Sequence, residues 1–238
     1  MEDYSNGLTF SIPVYGSVHI GPLEIYITHT LVATFVISLV LIAFAIVVRI
    51  KLNKFTDKPS GFQNFIEWAI EVFDRFVRNA AGDKMYWLGG WFFTVFLFLL
   101  VANTVGMFGV RPPSADWPVP LTLALCTFAL LWISGIKYKG TWGYIKETYF
   151  HPHFLFFPIN LLGELARPVS LSFRMFGNVL AGLILLSLLY GLAPVFLRFL
   201  LPVPLHIYFD LVSGGLQAFV FTILSLSYLG MAASTEEV

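Results

Sequence analysis

Glu164, Arg167, Arg174 and Asn178 in one apolar stretch, and His206, Asp210 and Gln217 in another, are the side chains whose types and spacing could do chemistry. The first set lies in NLLGELARPVSLSFRMFGNVLAG, residues 160 to 182, and Arg174 is followed by about 23 residues without a formal charge. Arginine keeps its proton in proteins, so it does not escape burial by going neutral. At a bilayer centre that costs from roughly 3 to more than 10 kcal/mol, and a charge retained there marks function. If the stretch is helical, Glu164, Arg167, Leu171, Arg174, Asn178 and Ala181 recur every three or four residues and predict one polar stripe. Ser170, Gly177 and Gly182 beside it would let another helix approach closely, and Pro168 should bend the helix. His206, Asp210, Gly214, Gln217 and Phe221 follow the same rhythm on a second helix. Asp210 and His206, four residues apart, suit a pair that exchanges a proton. The rival use of Asp210 is plain neutralisation of Arg174. A fixed cation on one helix facing titratable groups on another is the chemistry of an ion path with a barrier charge.

These residues need a membrane scaffold, and the composition supplies one. Of 238 residues, 58% are hydrophobic and 12% charged, against roughly 25% charged in soluble domains. With 14 basic and 14 acidic residues there is no cationic surplus for nucleic acid, and the single Cys126 permits no internal disulfide. The first 24 residues contain no Lys or Arg and so lack the basic start of a cleavable signal peptide.

Charge-free runs predict an all-α integral membrane protein forming a single membrane domain. Residues 25–48 form a first span of about 36 Å, enough for a hydrocarbon core of about 30 Å. Residues 60–81 form an amphipathic helix, with Phe62, Phe65, Ile66, Ala69, Ile70, Phe73, Phe76 and Val77 on one face; Ser60 and Gln63 suit a capping box. With no soluble core to receive it, that helix is expected to lie in the cytoplasmic interface of the membrane; docking on a partner subunit is the alternative, and both could hold. Residues 85–110 and 117–136 are the second and third spans, and Asn103 inside the second suits either a helix-to-helix hydrogen bond or a place on the ion path. Two long, tilted membrane helices, 155–192 and 203–233, complete the chain as a hairpin.

Loop charges orient the spans. Arg49, Lys51, Lys54 and Lys58 follow the first span and Lys137, Lys139 and Lys146 follow the third, whereas Glu2, Asp3 and Glu24 precede the first. The N-terminus is therefore expected outside and the C-terminal Glu236, Glu237 and Val238 in the cytoplasm. His151 and His153, across Pro152, are weak metal-ligand spacing, and no cofactor or metal site is expected. Nor is there a GxSxG, HExxH or P-loop pattern to support hydrolysis or covalent catalysis by this chain.

At RPVSLSFRMFGNVLAG the chain resembles subunit a of the F-type rotary ATP synthase, with Arg174 on the essential arginine of that family's R-x-F/Y-G-N motif. LQAFVFTILSLSYLG, with Gln217 on the family's recurrent glutamine, and PSAD at residues 113–116 extend the resemblance, which covers nearly the whole chain. Two positions depart from some bacterial relatives. Leu183 stands where they carry a glutamate, and Asp210 where they carry a histidine, as if the acidic group had moved between helices. Pro118 and Pro120 also replace the Asn and Thr usual after PSAD.

The resemblance implies a stator subunit with two offset half-channels, without catalytic activity of its own. Arg174 would face a ring of c subunits, and H⁺ or Na⁺ passage would drive rotation and so ATP synthesis. Asp210, His206, Asn178, Gln217, Glu164 and Asn103 are expected to line the half-channels. Implied partners are the c-ring, b-type peripheral stalk subunits and the lipid bilayer. The implied location is the bacterial plasma (inner) membrane ahead of the thylakoid. The alternative is a self-contained secondary transporter, which should show internal inverted repeats; none is visible in the sequence.

Overall fold

The computed structural model describes residues 14–20, 23–52, 61–150, 154–192 and 194–233. Among these, five apolar helical stretches are long enough to cross a membrane: His29–Leu52, Asp83–Phe108, Pro118–Lys139, Phe157–Leu192 and Phe196–Ala233. Their bounds differ from the charge-free runs in ways that have physical causes.

The first span is shorter at its start than expected. Strands β1, Val14–Ile20, and β2, Leu23–Thr28, pair antiparallel with Ser17 opposite Tyr26, so residues 25–28 belong to a hairpin. Alternating β-branched and aromatic residues there favour a strand, whereas hydropathy alone reads them as span. Helix α1, His29–Leu52, then continues through Arg49 and Lys51, since long basic side chains reach the interface from within a helix. Only Thr30, Ala33 and Ile37 of α1 are buried, all near its start.

Helix α2, Phe62–Ala81, buries Ile66, Phe73, Val77 and Ala81. Gly61 precedes the helix without a side-chain cap, and the capping box expected from Ser60 and Gln63 falls on Ser60, which lies outside the described residues. The face finds a core within this chain, against the last long helix, while Phe65 and Trp68 stay exposed. The second span is composite, with helix α3, Gly89–Thr104, between 3₁₀ turns at Asp83–Leu88 and Val105–Phe108. Helix α4, Pro118–Lys139, enters through a proline in its first turn, where the missing N–H costs nothing, and runs on through Lys137 and Lys139. The following loop is itself helical: α5, Thr141–Phe150, returns against α4. Gly135 permits this, because a Cβ there would lie 2.2 Å from the Tyr144 ring.

Helix α6, Phe157–Leu192, spans 36 residues and continues through Pro168. Beyond it, short helices α7, Val195–Leu200, and α8, Pro202–His206, lead into a π-helical segment, Ile207–Ser213, and helix α9, Gly214–Ala233. The expected continuous helix over 203–233 is therefore interrupted at its polar part. Nor do the last two long helices pair simply as a hairpin. Helix α6 packs mainly along α4, while α9 packs along α3, α4 and α2, and α6 touches α9 over a shorter stretch. The core joining them is Leu171 and Met175 of α6, Ala218 and Phe221 of α9, Val95 and Leu99 of α3 and Ala124 of α4.

Candidate functional site

Arg174 stands midway along α6, seventeen residues after its start and eighteen before its end, about 26 Å from either. It is exposed, and among the described residues it has no hydrogen bond or ion pair. The expectation of one shared stripe is corrected here. Glu164 is buried and Arg174 is not, because ten residues at about 100° each leave them about 80° apart on the helix. The buried side of α6 carries Glu164, Leu171, Ser172, Met175 and Gly182. Arg174 shares the open side with Ala166, Ser170, Gly177 and Ala181. A Cβ built at Gly177 meets nothing within 4 Å, whereas one at Gly182 would meet the Phe209 ring at 3.1 Å. The cation thus lies on a strip of small residues that this chain leaves uncovered.

On one side of Arg174, toward the proline loop, residues 109–117 between the second and third spans, polar groups converge. His206 Nδ1 lies 2.6 Å from Asp210 Oδ2, and Tyr190 Oη lies 3.5 Å from His206 Nε2. Asp210 is therefore engaged with His206, as their spacing led one to expect, rather than with Arg174, as the rival use of it required. Asn178, one turn beyond Arg174, donates to Ser213 Oγ at 2.9 Å. Asn103 Nδ2 donates to the Gly214 carbonyl at 3.0 Å and its Oδ1 accepts from Ser114 Oγ at 2.5 Å, so it bridges α3, the proline loop and α9. Asn103, Asn178, Asp210 and Ser213 line one small cavity.

Gly106 gives this cluster its shape. A Cβ there would lie 2.6 Å from the Asp210 carboxyl, so the carboxylate rests against bare backbone. The π-helical turn carrying Asp210 is the other device, an uncommon geometry that recurs at functional sites. Beside it, Asp116 accepts from Arg111 Nη2 at 2.8 Å and from Thr30 Oγ1, which ties the start of α1 to the loop.

On the other side of Arg174 a second polar cluster forms. Glu164 accepts from Arg167 Nη1, and the Arg167 guanidinium lies 5.3 Å from the centre of the Tyr228 ring, joining α6 to α9. Lys139 Nζ pairs with Glu147 at 2.6 Å. Glu164, Arg167, Lys139 and Glu147, with Tyr144 and Asn160, line a cavity of about 490 Å³. Burial, then the Glu164 charge, pushes the Tyr144 hydroxyl well above the usual phenol range, so it stays a neutral phenol at physiological pH.

Gln217 is buried in α9, and its Nε2 has no hydrogen-bond partner among the described residues. Tyr190, Ser114, Ser213 and Gly106 were not expected in the site. Only the small-residue and hydroxyl content of their segments hints at them, because their roles depend on contacts between segments far apart in sequence. The described residues contain no group of three His, Cys, Asp or Glu placed to hold a metal ion. His151 and His153, like Glu236, Glu237 and Val238, lie outside the described residues.

The chain also has relatives. Residues 30–230 match the family model described as ATP synthase A chain. ATP synthase subunit a, sodium ion specific, of Propionigenium modestum is 34% identical over 96% of this chain and 79% of its own length. ATP synthase subunit a of Oceanobacillus iheyensis is 35% identical over 87% of this chain and 90% of its own, and that of Gloeobacter violaceus is 34% identical over 92% and 88%. Matched along most of its length by the family model and by these full-length relatives, the chain belongs to the ATP synthase A chain family, the membrane-embedded subunit a of ATP synthase.

Proposed function

We propose that this chain is the stator of a rotary ion motor, in which Arg174 separates two half-channels and faces a carboxylate on each c subunit of a rotating ring. The observation that carries this reading is the isolation of Arg174: an exposed cation on an uncovered strip of small residues, between two polar clusters, with no carboxylate partner among the described residues. A guanidinium at membrane depth requires an anion, and close approach across Ser170 and Gly177 lets a neighbouring helix bring one.

The Asp210, His206, Asn178 cluster serves as the outer half-channel and the Glu164, Arg167 cluster as the cytoplasmic one. This follows the positive-inside reading, which sets Lys137 and Lys139 in the cytoplasm and the proline loop outside. An H⁺ or Na⁺ enters through one cluster and loads a ring carboxylate. That carboxylate travels around the ring and gives up its ion through the other cluster. The bare carboxylate is then drawn past Arg174, whose charge repels any ion attempting the direct route. One charge crossing 100 mV releases about 2.3 kcal/mol, so several ions are needed for each ATP made. The b-type stalk would hold the chain against the turning ring.

Replacing Arg174 by Ala in the assembled complex and measuring ion-driven ATP synthesis tests this reading. Synthesis should fall to background while the complex still assembles, because Arg174 is exposed and has no hydrogen bond or ion pair among the described residues. Wild-type synthesis in that variant would refute it.

A further inference from the structure

Two ion pairs line the cavity on the Lys139 side of the molecule. Glu164 and Arg167 form one within α6; Lys139, the last residue of α4, and Glu147 of α5 form the other. Gly140, at φ 72°, turns the chain through the left-handed region, so α5 folds back along α4 and brings Glu147 within 2.6 Å of a lysine eight residues earlier. The two partners are placed differently. The Lys139 side chain is 7% exposed and that of Glu147 41%, so the ammonium is enclosed at the cavity wall while the carboxylate reaches the protein surface. Lys137, two residues earlier, lies over the Trp87 ring at 4.2 Å and is not part of that wall.

Charge on the wall balances among the described residues: the cations Lys139 and Arg167 against the anions Glu147 and Glu164. Helix α9 contributes Met231 and Ala232, which carry none. A cation passing through this space meets an enclosed ammonium, and the field of one uncancelled sign in a cleft changes the local ion concentration by roughly 10- to 1,000-fold. Glu164 is already taken by Arg167, which leaves Glu147 to cancel Lys139. Resting on the reading of this cavity as the cytoplasmic half-channel, we propose that Glu147 sets the cation affinity of that half-channel by neutralising Lys139. It acts through the lysine, as a positioning residue, and is not itself a station for the ion. A pair that merely pinned α5 to α4 would need both partners equally; a charge balance makes their removal act in opposite directions.

Inverted membrane vesicles carrying the assembled complex turn this side to the medium, and ATP-driven ion uptake into them, measured as external pH or, separately, external Na⁺ is varied, tests the proposal. Glu147→Gln leaves one net positive charge and should raise the cation concentration that half-saturates uptake about tenfold, which is one pH unit if the ion is H⁺. Lys139→Gln leaves one net negative charge and should lower it by a similar factor. The double variant restores the balance and should return close to wild type, and Glu147→Asp, which keeps the charge, should shift it little. Shifts in the same direction, no shift in either single variant, or no return in the double variant would each overturn the proposal. Arg174→Ala vesicles separate its failure from that of the wider reading. If they take up ions as wild type does, the stator assignment fails; if they do not, and the Lys139 and Glu147 variants leave half-saturation unmoved, the charge balance alone fails.

Discussion

Asp210 and Asn103 are both buried, polar and within one cavity, yet their bonding separates their roles. Asn103 is committed to two contacts, with Gly214 and Ser114, that hold three segments together. Asp210 is bonded to a titratable imidazole that in turn approaches Tyr190 near the helix end. Asn103→Ala removes a donor to the Gly214 carbonyl and leaves the buried Ser114 hydroxyl without its acceptor, a loss of about 1–3 kcal/mol, and should lower the amount of assembled complex more than the ion flux through each one. Asp210→Asn removes a titrating group but keeps its size, and should do the reverse. Flux normalised to assembled complex measures both, and equal small effects would remove Asp210 from the path. At this scale the chemistry was legible: the pairing of His206 with Asp210 follows from their spacing. Gly106 was not, since nothing local to it announces a carboxylate arriving from a segment about a hundred residues away.

Among the elements, α6 shows why helical spacing alone misplaced a stripe. Steps of three and four keep successive residues near one another, but the drift accumulates, and Glu164 and Arg174 end on different faces. The span ends were less legible than the spans, because 3₁₀ turns, basic residues reaching the interface and the β1–β2 hairpin are invisible to a count of uncharged residues. The two glycines on opposite sides of α6 give a test. Gly177→Leu projects into space that this chain leaves empty, so assembly of the subunit itself should be normal while coupled ATP synthesis is lost through the blocked rotor contact. Gly182→Leu runs into Phe209 and should lower subunit levels by overpacking, which costs about 1–3 kcal/mol. Immunoblots of membranes beside synthesis assays separate the two. Normal synthesis with Gly177→Leu would mean that the small-residue strip faces lipid rather than a moving partner.

At the scale of the whole molecule, the fixed cation lies between two polar clusters and has no counter-charge among the described residues. Composition and uncharged runs made the membrane class and the five long helices legible in advance. The packing order, with α9 between α3 and α4 and α6 outside them, was not, because uniformly apolar faces carry little information about which neighbour they meet. That order is what leaves Arg174 uncovered. The central claim is that Arg174 bars a direct route between the clusters, and passive ion permeability of vesicles carrying the membrane sector alone tests it most directly. Arg174→Ala should raise the leak more than about tenfold, since lowering a barrier by only about 1.4 kcal/mol is enough for that, while Arg174→Lys keeps the charge and should stay near wild type. A wild-type leak in Arg174→Ala would contradict the account.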